Sequence, residues 1–251
     1  MIKYLVIGPG GQGLFAMLGH LKKIEDQLVD VQEISGASAG SIIGFFMCSG
    51  RSISEILDLM LSVDVPSLTK LNLNVFLNSY GFIDQTQIRE KLVELYGSDP
   101  TFSDVLPKKL WISALCVNTG RTEYFSADTH PTMKITEAVC MSISVPVLMA
   151  GYKFKGHIYA DGGTIESFPG QPFLHKLREE VLCVCVKSNL VTESVQNFKD
   201  YLTAIISAYH KGARVTFDLP CFTVDVGNMN LLDMNMCHED KLRMYLLGFI
   251  S

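Results

Sequence analysis

The chain has 251 residues, 48% of them apolar and 19% charged, with a net charge of −5. This suits one α/β domain with a single buried core spanning residues 1–251. It argues against a nucleic-acid binder, since no long basic run is present to neutralise phosphates. The apolar runs at 4–7 and 42–48 are too short for a secretory leader or a spanning helix, so a soluble protein is expected, whatever the solubility of its substrate.

Residues 4–7 form a continuous apolar run, the mark of a buried parallel strand. From Leu14 to Leu28 the residues Leu14, Met17, Leu18, Leu21, Ile24 and Leu28 keep helical spacing. A second short strand is expected at 31–35 and a small-residue-rich buried helix at 38–48. Helices follow at 52–63 and 84–96, the latter stopped by Gly97. Between these two, residues 68–80 interleave apolar side chains with asparagines. Two readings stay open there: a cap over a site, or an irregular packed connection. Further strands are expected at 110–117 and 123–125, a helix at 134–142, and a hairpin of 152–154 with 158–160 around Lys155-Gly156. A central strand at 181–186, a long helix marked by Val195, Phe198, Leu202, Ile205 and Tyr209, a strand at 222–226 and a closing helix at 239–250 complete the chain. Strands alternating with helices imply a mostly parallel sheet covered on both faces.

The seven cysteines include no Cys-x-x-Cys spacing, so zinc or redox pairing is not expected. Cys183 and Cys185 read as strand residues packed in the core, and a reducing cytoplasm fits this usage.

Three glycine-rich motifs carry the chemistry. Gly36-Ala37-Ser38-Ala39-Gly40 lies between a strand and a helix. A Gly-x-Ser-x-Gly elbow in that context holds its serine in a strained turn at a helix N-terminus, making Ser38 a candidate nucleophile. Gly8-Pro9-Gly10-Gly11-Gln12-Gly13 follows the first strand. It matches a dinucleotide fingerprint, for which Glu33 has the right count to meet a ribose. But Glu33 sits inside its strand, whose end runs straight into the serine elbow, so a cofactor and a nucleophile would compete for one place. As an oxyanion hole the loop would offer the Gly10 and Gly11 N–H groups, because Pro9 has none. Asp161-Gly162-Gly163 closes the hairpin strand. Alone it reads as a turn; beside a serine it supplies a base, strengthened if the site is partly dry. A histidine base would have to be His175, His210 or His238, each of which reads as a surface residue, or His157, which lies roughly 13 Å from Asp161 along a strand.

These three blocks, in this order and approximate spacing, resemble the signature blocks of patatin-like phospholipases. The similarity continues through Phe168-Pro169 and the closing helix. The resemblance implies a three-layer α/β/α fold and metal-independent, cofactor-free hydrolysis of lipid acyl esters. It implies a dyad, with Ser38 as nucleophile, Asp161 as base and the Gly8–Gly13 loop as oxyanion hole. Lipid substrate and transient contact with a membrane surface are the expected partners. The chain departs from the family where Pro9 replaces the usual glycine, Gln12 the usual basic residue and Ser167 a frequent asparagine. The loss of the basic residue weakens any expectation of anionic head groups. Two rivals remain: a catalytically weak lipid-binding member of the same fold, and a dinucleotide-binding oxidoreductase built on the first glycine loop.

Overall fold

A computed structural model describes residues 1–190 and 216–251, together with 195, 196, 201, 204, 205 and 208. The elements in chain order are β1 (Tyr4–Ile7), α1 (Leu14–Lys23), β2 (Glu33–Gly36), α2 (Ala39–Cys48), α3 (Ile53–Ser62), α4 (Val65–Leu68), α5 (Leu73–Ser79), β3 (Gly81–Ile83) and α6 (Thr86–Tyr96). There follow β4 (Lys109–Cys116), β5 (Arg121–Phe125), α7 (Ile135–Ser142), β6 (Val147–Met149), β7 (Tyr152–Phe154), β8 (His157–Asp161), β9 (Val181–Lys187), β10 (Cys221–Asp225) and α8 (His238–Ile250).

The main sheet has the order β10-β9-β1-β2-β4-β8-β7, with β5 also paired to β4. β10, β9, β1, β2 and β4 are parallel, β5 and β8 run antiparallel to β4, and β7 pairs antiparallel with β8 and so returns to the direction of β4. The fold is therefore mixed α/β around a mostly parallel sheet flanked by helices, as the alternation of strands and helices requires. β1 is apolar throughout because both its faces are covered. Leu5 and Ile7 enter the large core shared with α1, α2 and α7. Tyr4 and Val6 enter a smaller cluster with Phe168 and Phe173 on the opposite face.

Local chemistry explains the element ends. Ser52 and Glu55 form a reciprocal capping box that starts α3. Gly97, at φ 93°, stops α6 in the left-handed region. Lys155 and Gly156 both take positive φ, the two-residue turn that matches hairpin twist.

Some expectations need correction. The helix expected to reach Leu28 ends at Lys23 and is followed by a 3-10 turn at Glu25–Gln27. The strand β9 is not central: it lies second from the edge, with β10 outside it. Within residues 68–80 the chain is not irregular throughout: α4 ends at Leu68 and α5 spans Leu73–Ser79. Cys183 is fully buried, but Cys185 is half-buried, with its Sγ 3.3 Å from that of the exposed Cys221. The helix expected through Phe198, Leu202 and Tyr209, and His210 beside it, lie outside the described residues.

Candidate active site

The serine elbow is built by close contact between a strand end and a helix start. Ser38 has φ 51° and ψ −121°, a costly conformation for a residue with a side chain. Its carbonyl accepts hydrogen bonds from the Ser41 N–H and Oγ, and its own N–H donates to Ser142 Oγ at 2.8 Å. Gly40 is obligatory here: a Cβ would lie 2.1 Å from the Ile7 carbonyl oxygen. The start of α2 is thus pressed onto the end of β1.

Register then brings Asp161 to this elbow. β2 runs parallel to β4 and ends with Gly36 opposite Ile112. β8 runs antiparallel to β4 and ends with Asp161 opposite Ala114. Because β5 occupies the other edge of β4 at these positions, β2 and β8 share one edge and meet head-on. Their ends are two β4 residues apart, about 7 Å along the strand. Asp161 is 1% exposed. Its N–H donates to Ser144 O, and its Oδ1 accepts the Gly163 N–H at 2.7 Å. The end of α7 therefore holds both loops, through Ser142 at the elbow and Ser144 at the aspartate.

The glycine loop forms the third wall. A Cβ on Gly163 would lie 2.5 Å from the Pro9 ring, so the aspartate turn rests directly on this loop. Gly11 has φ 51°, and a Cβ there would fall 2.3 Å from Leu231 O; only glycine fits. The N–H groups of Gly8, Gln12 and Gly13 are spent on Val184 O, Leu231 O and Gly10 O. Those of Gly10 and Gly11 have no acceptor among the described residues, so they are the donors the loop has to offer. Ser38, Asp161, Gly10 and Gly11 all line one cavity of about 360 Å³, a size typical of small-ligand sites. Its remaining wall is mainly aliphatic, including Ile42 of α2, Met60 of α3, Leu92 of α6 and Leu231.

The match of a family model for "Patatin-like phospholipase" covers residues 5–174, which include all three motifs. The chain belongs to this family. Relatives bear this out. The chain is 31% identical over 222 residues to the uncharacterized protein R571 of Acanthamoeba polyphaga mimivirus, covering 81% of this chain and 74% of that protein. It is 25% identical to a probable lipid hydrolase, 463L, of Invertebrate iridescent virus 6, covering 66% and 61%. It is 27% identical to the neuropathy target esterase sws of Drosophila sechellia, covering 66% of this chain but 11% of that protein. Among solved structures, VipD of Legionella pneumophila aligns at a TM-score of 0.67 and 17% identity, over 99% of this chain and 65% of VipD. Apart from the mimivirus protein, the chain spans less than two thirds of each of these relatives.

Within this patatin-like frame the dinucleotide reading fails on geometry. Glu33 opens β2, at the end of the strand remote from the elbow, and its carboxylate accepts from Trp111 Nε1 at 2.9 Å and from Lys176. Gln12, where patatin-like proteins usually carry a basic residue, is 6% exposed and lines the cavity. Its Oε1 has no hydrogen-bond partner among the described residues. No histidine among the described residues lines the cavity; His157, His175 and His238 are exposed. The three side chains that could gather around a metal, Cys116, Glu123 and His157, stand outside the cavity wall. Among the described residues no helix is long and apolar enough to cross a membrane. Sequence reasoning missed Ser142 and Ser144. Neither lies in a glycine motif, and only their contacts give them meaning.

Proposed function

We propose that this protein hydrolyses carboxylic esters of lipids through a dyad of Ser38 and Asp161, with the Gly10 and Gly11 N–H groups as oxyanion donors. The observation that carries this reading is the convergence of the elbow, the aspartate turn and the glycine loop on one apolar cavity. Ser38 Oγ attacks the ester carbonyl while its proton passes to the Asp161 carboxylate. The negative charge that develops on the carbonyl oxygen meets the two unspent glycine N–H groups and the positive end of α2. Collapse expels the alcohol, which takes the proton from Asp161, and leaves the acyl group on Ser38. Water, deprotonated by Asp161, then releases the fatty acid and restores the serine. The aliphatic wall receives the acyl chain.

A fluorophosphonate should label Ser38, and Ser38→Ala should abolish labelling and turnover while the protein stays folded. Asp161→Asn keeps the side-chain shape but cannot accept a proton, so kcat should fall by about two to four orders of magnitude. Each single histidine variant should retain kcat within about tenfold, or about 1.4 kcal/mol of barrier. A folded histidine variant as inactive as Ser38→Ala, beside an active Asp161→Asn, would remove the dyad. Mass spectrometry of the products from a mixed lipid extract identifies the ester cleaved.

A further inference from the structure

The segment that ended the α3 wall of the cavity continues outward as a surface with unusual chemistry. From residue 65 to residue 83 the only charged side chain is Lys70. Within this stretch Leu71, Leu73, Leu77 and Tyr80 are 66%, 63%, 68% and 63% exposed. Leu73, Leu77 and Tyr80 are spaced i, i+4, i+7 and so form one stripe along α5 and its end. None of the α5 residues is buried. An amphipathic helix normally turns such a stripe inward; here it faces out, and a contiguous apolar patch of this kind marks an interaction surface.

Several polar groups of the segment are bonded within it. Asn72 Oδ1 accepts the Asn74 and Val75 N–H groups that open α5, and Asn78 Nδ2 donates to Asn74 O. The Asn72 N–H donates to Phe82 O, and the Phe76 and Phe82 rings stack at 4.4 Å. A backbone satisfied internally loses little on entering an apolar medium. The patch is also joined to the cavity on both sides. Before it, Val65, Leu68 and Thr69 line the cavity. After it, β3 pairs with β6, where Met149 lines the cavity and Val147 is 40% exposed.

We infer that α5 with Leu71 and Tyr80 is the element that docks this protein on a lipid surface, aligning the cavity mouth with the bilayer. The inference rests on the lipid-hydrolase reading for its occupant. A charge-poor apolar stripe with a tyrosine at its end fits the interfacial zone of a bilayer. It offers a soluble partner nothing to pair with by charge. With one cation between Asp64 and Asp84, the docking needs no anionic lipid.

Phosphatidylcholine vesicles test this by co-sedimentation, with Ser38→Ala protein so that hydrolysis cannot alter the vesicles. Leu73→Asp/Leu77→Asp in that background should lower vesicle partition at least about tenfold, as loss of two inserted leucines implies. Leu73→Met/Leu77→Met should keep it, and 0.1–1 M salt (about a threefold change in screening length) should leave it unchanged. In the protein with Ser38 intact, the double aspartate variant should lose vesicle hydrolysis to the same degree. It should keep hydrolysis of a water-soluble short-chain ester within about twofold, since neither leucine lines the cavity. Equal partition of the aspartate variant and its parent overturns the proposal. So does a change in oligomeric mass without a change in vesicle binding, which would make the patch a contact between copies. If the Ser38→Ala protein partitions as expected but the intact protein cleaves no lipid ester, the catalytic reading fails while the docking surface stands.

Discussion

Ser142 shows how much of this site rests on a side chain that touches no reacting atom. Its Oγ receives the Ser38 N–H, while its own carbonyl receives the Gly162 N–H from the turn after Asp161. One fully buried residue at the end of α7 thus couples the nucleophile's backbone to the aspartate's turn. In Ser142→Ala the Ser38 N–H loses its acceptor at a strained position, a loss of about 1–3 kcal/mol in stability. The displaced Oγ should lower kcat by about ten- to a hundredfold with KM within twofold, because misplacement affects the transition state more than binding. Ser142→Thr, which keeps the hydroxyl, should restore most of kcat; parallel loss in both variants would make Ser142 a packing residue alone. The three glycine motifs were legible in the sequence because each is a compact local pattern whose geometry only glycine permits. Ser142 was not legible because its partner is 104 residues away and a serine inside an apolar helix has no local signature.

At the scale of elements, the same contrast holds between local and distant causes. Helices α3 and α6 were readable because their signals are local: a capping box opens α3, and an apolar period with a glycine stop marks α6. The strands β3 and β6 were not: three residues establish no period, and their pairing joins Gly81 to Val147 across most of the middle of the chain. The segment 68–80 was ambiguous because apolar content does not say which way a side chain faces. Helices α1 and α8 cross in close contact: a Cβ on Gly248 would sit 1.8 Å from Ala16 O, and one on Gly19 2.0 Å from Tyr245 O. Helix propensity alone favours alanine over glycine by about 1 kcal/mol. Gly248→Ala should nevertheless destabilise the fold by about 1–3 kcal/mol, because the clash is with backbone and the two helices must move apart. Urea unfolding should show a lower midpoint at unchanged slope. A neutral or stabilising result would mean the crossing is looser than this geometry.

For the whole molecule, the sheet order decides where a site can form. From β1 the chain moves to β2 and β4 on one side, then returns to β9 on the other. The carboxyl ends of β9, β1 and β2 therefore open a crevice at the switch of direction, the place where open α/β sheets bind ligands. Residues following each of these three strands line the cavity: Ser188, Gly10 and Ser38. Behind this crevice, His20 ties the layers together. It is 5% exposed on α1 and stacks on Phe222 of β10 with ring centroids 3.6 Å apart. Burial, with a smaller contribution from the Lys23 cation, lowers its pKa below the ordinary 6.5. Protonation is then favoured in the unfolded chain, which binds the proton at a higher pH than the native state does. Stability from this residue is full above pH 6.5 and declines as pH falls from there toward the lower native value, by at most about 1.4 kcal/mol per pH unit. Carboxylates held below their ordinary range, such as Glu25 beside Lys22 and Asp225 at the Gly227 N–H, weaken the fold only in a more acidic window. Thermal unfolding should therefore show a melting temperature that is already declining between pH 6.5 and 5. In His20→Gln, which carries no titrating group, the decline in that interval should be shallower. An identical slope in the variant and the parent would show that His20 charges as readily in the native state as in the unfolded chain.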